Sequence, residues 1–315
     1  MTPPSAPSGV QRLTWLLLAL ALAATGWLLV RAPGAKPAAS PRAEVDIVAA
    51  VPAGPELLVT ADVASLGAQA AGELLQAGGA AFLGLRELCG FEPLLGLRRL
   101  ALAMPRAEPG EATADFALIA ETSLEPEPVL RCAEAVIRKR GGKPVRSSLG
   151  AFTSVRDQNK PLGEVAIRAD GLFVLSGGQY FRDVIDAASG ARHEDEAAQL
   201  RSRVHAAVRR KLGSSQLALS WLVGPRLPLP GVQALGLGLT ATSDVQLRGY
   251  VVCASAAGCQ DAASLIGNMR DEIARDSSIA GLASVKIEQH DLQLEVAGRL
   301  ARTELAPLLK QLLAP

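Results

Sequence analysis

The sequence predicts an α+β protein: an N-terminal transmembrane helix, then two similar units of mostly antiparallel sheet covered by helices. Three observations predict it. An uncharged run at 13–30, LTWLLLALALAATGWLLV, is bracketed by Arg12 and Arg31, and about 18 or more apolar residues can cross a bilayer as a helix. Beyond it, short apolar runs of period two alternate with stretches of helical period. The same succession of runs then occurs twice along the chain.

A short tail at 1–12 precedes the membrane segment at 13–31. A cleaved signal peptide has an apolar core of about 7–15 residues and ends in a small-x-small site. Here residues 27–30 keep the run apolar to its end, and Pro33 spoils the one small-residue stretch that follows. An uncleaved anchor is therefore expected. Trp15 and Trp27 sit near its two ends, where indole rings favour the bilayer interface. The flanking cations are Arg12 on one side and Arg31, Lys36 and Arg42 on the other. Counted alone they point to a cytoplasm-facing regulatory domain. Long domains translocate largely regardless of such charges, and one apolar segment before one long soluble region is the usual arrangement for export. A bacterial inner-membrane protein with a periplasmic domain is expected, the Ala, Leu, Gly and Arg usage suggesting a GC-rich bacterial genome. Residues 32–44, APGAKPAASPRAE, form a Pro/Ala linker with no apolar period, extended rather than packed.

The first unit is assigned to 45–190. Its leading strand is LLVTADV at 57–63, followed by a helix at 65–88. Strands LRRLALAM at 97–104 and DFALIAET at 115–122 come next. A helix begins near Pro128, a favoured first helical position, and presents Val129, Cys132, Ala133, Val136 and Ile137 to the core. Cations and paired glycines in RKRGGK at 138–143 suit a helix C-terminus and its stop. In EVAIRADGLFVLSGG, at 164–178, Val165, Ile167 and Ala169 alternate, Asp170-Gly171 makes a turn, and 172–175 returns. Phe181, Val184, Ile185 and Ala188 then follow the i, i+3, i+4, i+7 pattern of a helix.

A charged connector at 191–213 leads to the second unit, 214–315. Its strands are LALSWLV at 217–223, VQALGLGL at 232–239 and DVQLRGYVV at 244–252, with a Pro-rich turn at 224–231 where the first unit has a helix. A helix follows with Cys259, Ala262, Ile266, Met269 and Ile273 on one face. The hairpin SVKIEQHDLQLEVAG at 284–298, turning at His290-Asp291, superposes without a gap on 164–178 at a shift of 120. Val165 falls on Val285, Ile167 on Ile287 and Gly178 on Gly298. A last helix carries Leu305, Leu308, Leu309 and Leu312 on one face.

The net charge of +1 supplies no field that selects nucleic acid, so no nucleic-acid partner is expected. Four cysteines in an exported chain permit disulfides, the economical pairing being Cys89 with Cys132 and Cys253 with Cys259. Buried thiols are the alternative, since Cys132 shares a helical face with Val129 and Val136. No C-x-x-C pair exists, so no zinc or other metal site is expected.

Catalytic and cofactor motifs do not emerge. The chain lacks a phosphate-binding G-x-x-x-x-G-K-[ST] loop, a G-x-S-x-G elbow and an H-E-x-x-H helix. No catalytic or cofactor-binding residue is assigned. His193, His205 and His290 read as exposed surface histidines, and Asp62 as a strand-end cap. The most distinctive polar region is the connector helix. Leu200, Val204, Val208 and Leu212 recur every four residues, while Arg201, Arg203, Arg209, Arg210 and Lys211 point elsewhere. Such a helix can lie on anionic lipid or accept an acidic partner; the alternative is a solvated helix whose charges are balanced by the acids that precede it.

The opening VPAGPELLVTADVASL at 51–66, just after an anchor and linker, resembles uncharacterised bacterial envelope proteins. In that family of unknown function a "VPA…DV/DL" strand begins each duplicated α+β unit. The second unit here lacks the VPA opening, and the resemblance supplies no site residues. The functional expectation is a membrane-tethered, non-enzymatic binding or structural module of the cell envelope. Its partners would be the bilayer through 13–31 and an envelope protein or apolar ligand. An enzyme with an unrecognised site between the two units is the alternative, and the junction of the units is the place for a pocket.

Overall fold

The computed structural model describes residues 45–65, 80–91, 96–106, 115–159, 163–191, 195–224, 229–242, 244–275, 280–301 and 304. The expected membrane segment, the linker, His193 and the C-terminal leucine helix lie outside them. No helix among the described residues is long and apolar enough to cross a membrane.

Period-two runs become strands as expected, and they join into one continuous sheet. Twelve antiparallel strands are seen among the described residues: β1 Leu57–Asp62, β2 Leu97–Met104, β3 Ala117–Thr122, β4 Pro144–Leu149, β5 Phe152–Asp157, β6 Glu164–Arg168, β7 Leu172–Ser176, β8 Leu217–Leu222, β9 Val232–Ala241, β10 Val245–Cys253, β11 Lys286–His290 and β12 Gln293–Leu300. Their order is β11-β12-β10-β9-β8-β1-β2-β3-β7-β6-β5-β4. The centre is the β1–β8 pair, with Val59 opposite Leu219. Outward from it, β2-β3-β7-β6 runs one way and β9-β10-β12-β11 the other, with β5-β4 added at the far edge of the first half.

Among the described residues five helices are seen: α1 Ala80–Cys89, α2 Pro126–Lys139, α3 Gly178–Ala188, α4 Glu196–Leu212 and α5 Ala256–Arg275; α1 packs on α2, and the other four cover the sheet. Strand alternation assigns their faces. On β7, Leu172 and Val174 pack with Tyr180, Phe181 and Val184 of α3, whereas Phe173 packs with Val129 and Leu130 of α2. On β8, Ala218 and Leu222 meet Val208 and Leu212 of α4, whereas Leu217, Leu219 and Trp221 join the core that includes Ile266 and Ile273 of α5. Leu58 of β1 lies in the α3 core and Leu57 and Val59 in the α5 core. Helices α3 and α4 therefore share one face, and α2 and α5 the other. With both faces covered, every residue of β8 is buried.

Several sequence expectations need correction. The β4–β5 hairpin was missed, because its Ser- and Arg-rich strands carry weak alternation; Gly150, with φ 58°, makes its turn. The gap-free shift of 120 fails across the last hairpin. Ile167 pairs with Phe173, but Ile287 pairs with Val296 where that shift requires Gln293. The second hairpin closes one residue later than expected, through Asp291 at φ 51°. Met269 is exposed, and Arg270 takes its place, donating to the Val285 carbonyl. Of the expected first-unit helix at 65–88, the described parts are its start, helical at 63–65, and α1. Helix α2 starts earlier than expected, at Pro126, with only Val129 and Leu130 fully buried; the other expected core residues are half-buried.

Candidate functional site

Helix α4 is well delimited. Asp195 caps its start by accepting from the Ala197 N–H, and Gly213, at φ 68°, ends it. The buried stripe is Ala198, His205, Val208 and Leu212, while Leu200 is 58% exposed. A helix turns 100° per residue, so a strict every-fourth pattern drifts by about 40° each step, and Leu200 falls off the stripe. Val208 and Leu212 seat over Gly236 of β9, where a Cβ would overlap Val208. The missing side chain lets the helix approach the sheet closely.

His205 is the clearest departure from expectation. Read as exposed, it is 3% exposed. Its Nε2 lies 2.8 Å from the Pro55 carbonyl and its Nδ1 2.6 Å from Ser220 Oγ. The carbonyl can only accept, so Nε2–H donates and Nδ1 accepts from the hydroxyl, which defines a neutral tautomer. Burial lowers the His205 pKa; the Pro55 bond opposes this, and the nearby Arg209 charge adds to the lowering. Two further bonds tie the same backbone to α4. Gly54 N–H donates to Ser202 Oγ at 2.8 Å, and Arg201 Nε donates to the Gly54 carbonyl at 3.1 Å. Gly54, at φ 71°, has no room for a Cβ against Ala198.

The segment at 45–55 is thus pinned to α4 while Val45, Ile47 and Ala50 pack into the α3 core. Between α3 and α4 a groove of about 550 Å³ remains. Its lining includes Val48, Val51, Leu58, Ala187 and Ala206, with Asp183, Arg203 and Arg209 as its charged members. Leu58 belongs to central strand β1, so the groove lies over the junction of the two halves of the sheet. Tyr180, one turn before Asp183 on α3, is buried with its hydroxyl unpartnered among the described residues. Burial, and secondarily the Asp183 charge, raises its pKa well above the ordinary phenol value.

The five connector cations do not form one basic surface. Arg201 is spent on Gly54 and stands 3.9 Å from Asp195. Lys211 bonds Glu295 at 3.0 Å and sits 5.5 Å from the Tyr250 ring centroid. Arg210 is exposed, Arg203 is exposed at the groove, and Arg209 is half-buried in it. Burial lowers the Arg209 pKa, partly offset by the Asp46 charge. Sequence periodicity could identify the helix but not which cations it would commit to neighbours. His290 is exposed, 3.8 Å from Glu288. Asp62 accepts from the Ser65 N–H at the end of β1.

The cysteines are joined as Cys89–Cys132, linking α1 to α2 with Cα atoms 4.6 Å apart, and as Cys253–Cys259, linking β10 to α5 with Cα atoms 5.4 Å apart. No group of three metal-ligating side chains gathers among the described residues.

No family model and no curated protein matches the chain. Among solved structures, crystal form I of TP0453 is similar to it at 15% identity and a TM-score of 0.48, over 86% of this chain and 99% of that one.

Proposed function

We propose that the chain is a membrane-tethered, extracytoplasmic binding module of the bacterial cell envelope. It is built from two copies of one strand-and-helix unit, and its ligand seat is the groove between α3 and α4. The observation that carries this reading is the groove itself. It opens where the halves of the sheet meet, holds about 550 Å³, and is lined largely by small apolar side chains. That volume is in the range of small-molecule sites, which concentrate at domain junctions. The duplication is supported by strand order: β1-β2-β3-β7-β6 and β8-β9-β10-β12-β11 run outward from the centre in corresponding succession. An outside address is supported by the two disulfides, which persist in oxidising compartments, together with the apolar run at 13–30.

Two experiments test the reading. A C-terminal alkaline-phosphatase fusion should be active and a fluorescent-protein fusion dark; the reverse pattern replaces it with a cytoplasm-facing domain. Native mass spectrometry of the full chain, released from membranes, should show an added small-molecule mass that Ala206→Trp removes. An added mass that survives Ala206→Trp places the ligand elsewhere and overturns the groove assignment.

A further inference from the structure

Arg209 sits half-buried on the groove side of α4. A guanidinium carries five N–H donors, and those of Arg209, half-buried but not sealed from water, stay available to an incoming acceptor. Among the described residues, neither Arg209 nor Arg203 donates a side-chain hydrogen bond or closes an ion pair. The charge acting favourably on Arg209 is Asp46, whose Oδ1 already accepts from the Val48 and Ala49 N–H groups. Asp183 lines the opposite wall and has an interaction of its own. Arg201, on the same helix, shows how the fold uses a cation for its own sake: its Nε is taken by the Gly54 carbonyl. Arg209 and Arg203 are left facing a cleft whose remaining surface is mostly apolar.

We propose that the groove takes a single amphiphilic anion. Its anionic head is received by the Arg209 guanidinium, with Arg203 at the flank, and its apolar chain lies along Val48, Val51, Leu58 and Ala206. The inference rests on the groove being the ligand seat and adds the class of ligand. Arginine forks match carboxylate geometry in paired hydrogen bonds. The concave shape and limited volume fit one free molecule rather than a bilayer surface.

The test uses the full chain in phosphatidylcholine nanodiscs, titrated calorimetrically with octanoate and with 1-octanol against empty discs. Octanoate should bind about tenfold tighter or more, the size of one charge-assisted hydrogen bond. Arg209→Met should remove the preference, bringing octanoate down to about the affinity of octanol. Arg209→Lys keeps the charge without the fork and should retain part of the preference, so the inference stays testable if the Met variant folds poorly. Equal affinities in the native chain overturn the anion inference and leave the groove reading standing. Octanoate binding insensitive to both Arg209→Met and Ala206→Trp overturns both, as does the absence of heat with either ligand. Heat that appears only when phosphatidylglycerol is added to the discs assigns the effect to the membrane surface and overturns the inference.

Discussion

The two sides of α4 are built to different standards. Toward the sheet everything is closed: Val208 and Leu212 fill the space over Gly236, His205 is bonded at both ring nitrogens, and Arg201 meets a backbone carbonyl. Toward the groove, Arg203 and Arg209 carry donors that no described residue takes. One helix thus contains cations of both kinds, sorted by helical rotation: at about 100° per residue, Arg209 lies about 80° and Arg203 about 160° around the axis from Arg201. Closure on one side gives rigidity; the open side is the one proposed to receive a ligand. Arg203 is exposed and Arg209 half-buried, so their donors are turned to the groove and its water rather than to the fold.

If that contrast holds, substitutions on the two sides should differ in size and in sign. The largest effect is expected for Leu212→Ala, which opens a cavity under a side chain that is 1% exposed. A loss of about 2–5 kcal/mol in urea unfolding is expected, and a loss below about 1 kcal/mol would mean that the sheet side is less closely packed than described.

Next comes His205→Leu, which leaves the Ser220 hydroxyl and the Pro55 carbonyl without their partner at about 1–3 kcal/mol for each group that water cannot reach. The same residue carries a pH signature. Its folded pKa is depressed below 6.5, so below that pH the unfolded chain binds more protons than the folded one. His205 stability is present above pH 6.5 and is lost as pH falls toward the folded pKa. Melting curves between pH 7.5 and pH 5 should show that loss in the native chain, and His205→Leu should flatten it. An equal slope in both would assign the acid sensitivity to other groups.

The smallest effect, and the opposite sign, belongs to Arg209→Met. Removing an unpartnered, half-buried cation while keeping its bulk should leave the melting temperature unchanged or raise it. A clear fall in melting temperature would show that Arg209 has a structural partner and erase the contrast between the two sides.

Much of the fold was legible in the residues. Short apolar runs located the strands at 57–63, 97–104 and 217–223, because a sheet covered on both faces needs apolar side chains on both, and alternation located the strand at 164–168. The β4–β5 hairpin escaped because Arg146, Ser147 and Ser148 sit in a half-exposed edge strand, where burial imposes no pattern. The gap-free match between the last hairpins broke at the turn, since the residues that set register are only Asp170-Gly171 in one and Asp291 in the other. The groove itself had no sequence signal. Val48, Leu58, Ala187 and Ala206 come from four separate segments, and none is unusual for a core residue. His205 offered no cue either, because its partners Pro55 and Ser220 lie 150 and 15 residues away.

By itself the sequence determined that this is an α+β chain of short strands and helices with an apolar N-terminal run and an even set of cysteines. These are local properties: periodicity, length and composition act within a few turns or one strand. Tertiary structure alone decided that the strands join into one sheet, that α3 and α4 share a face, and that Arg201 is spent while Arg209 is not. Those outcomes depend on which distant backbone groups arrive beside a side chain, and hydrogen bonds reach only about 3 Å. A cation's role is therefore fixed by its neighbours in space, which the order of residues along α4 does not contain.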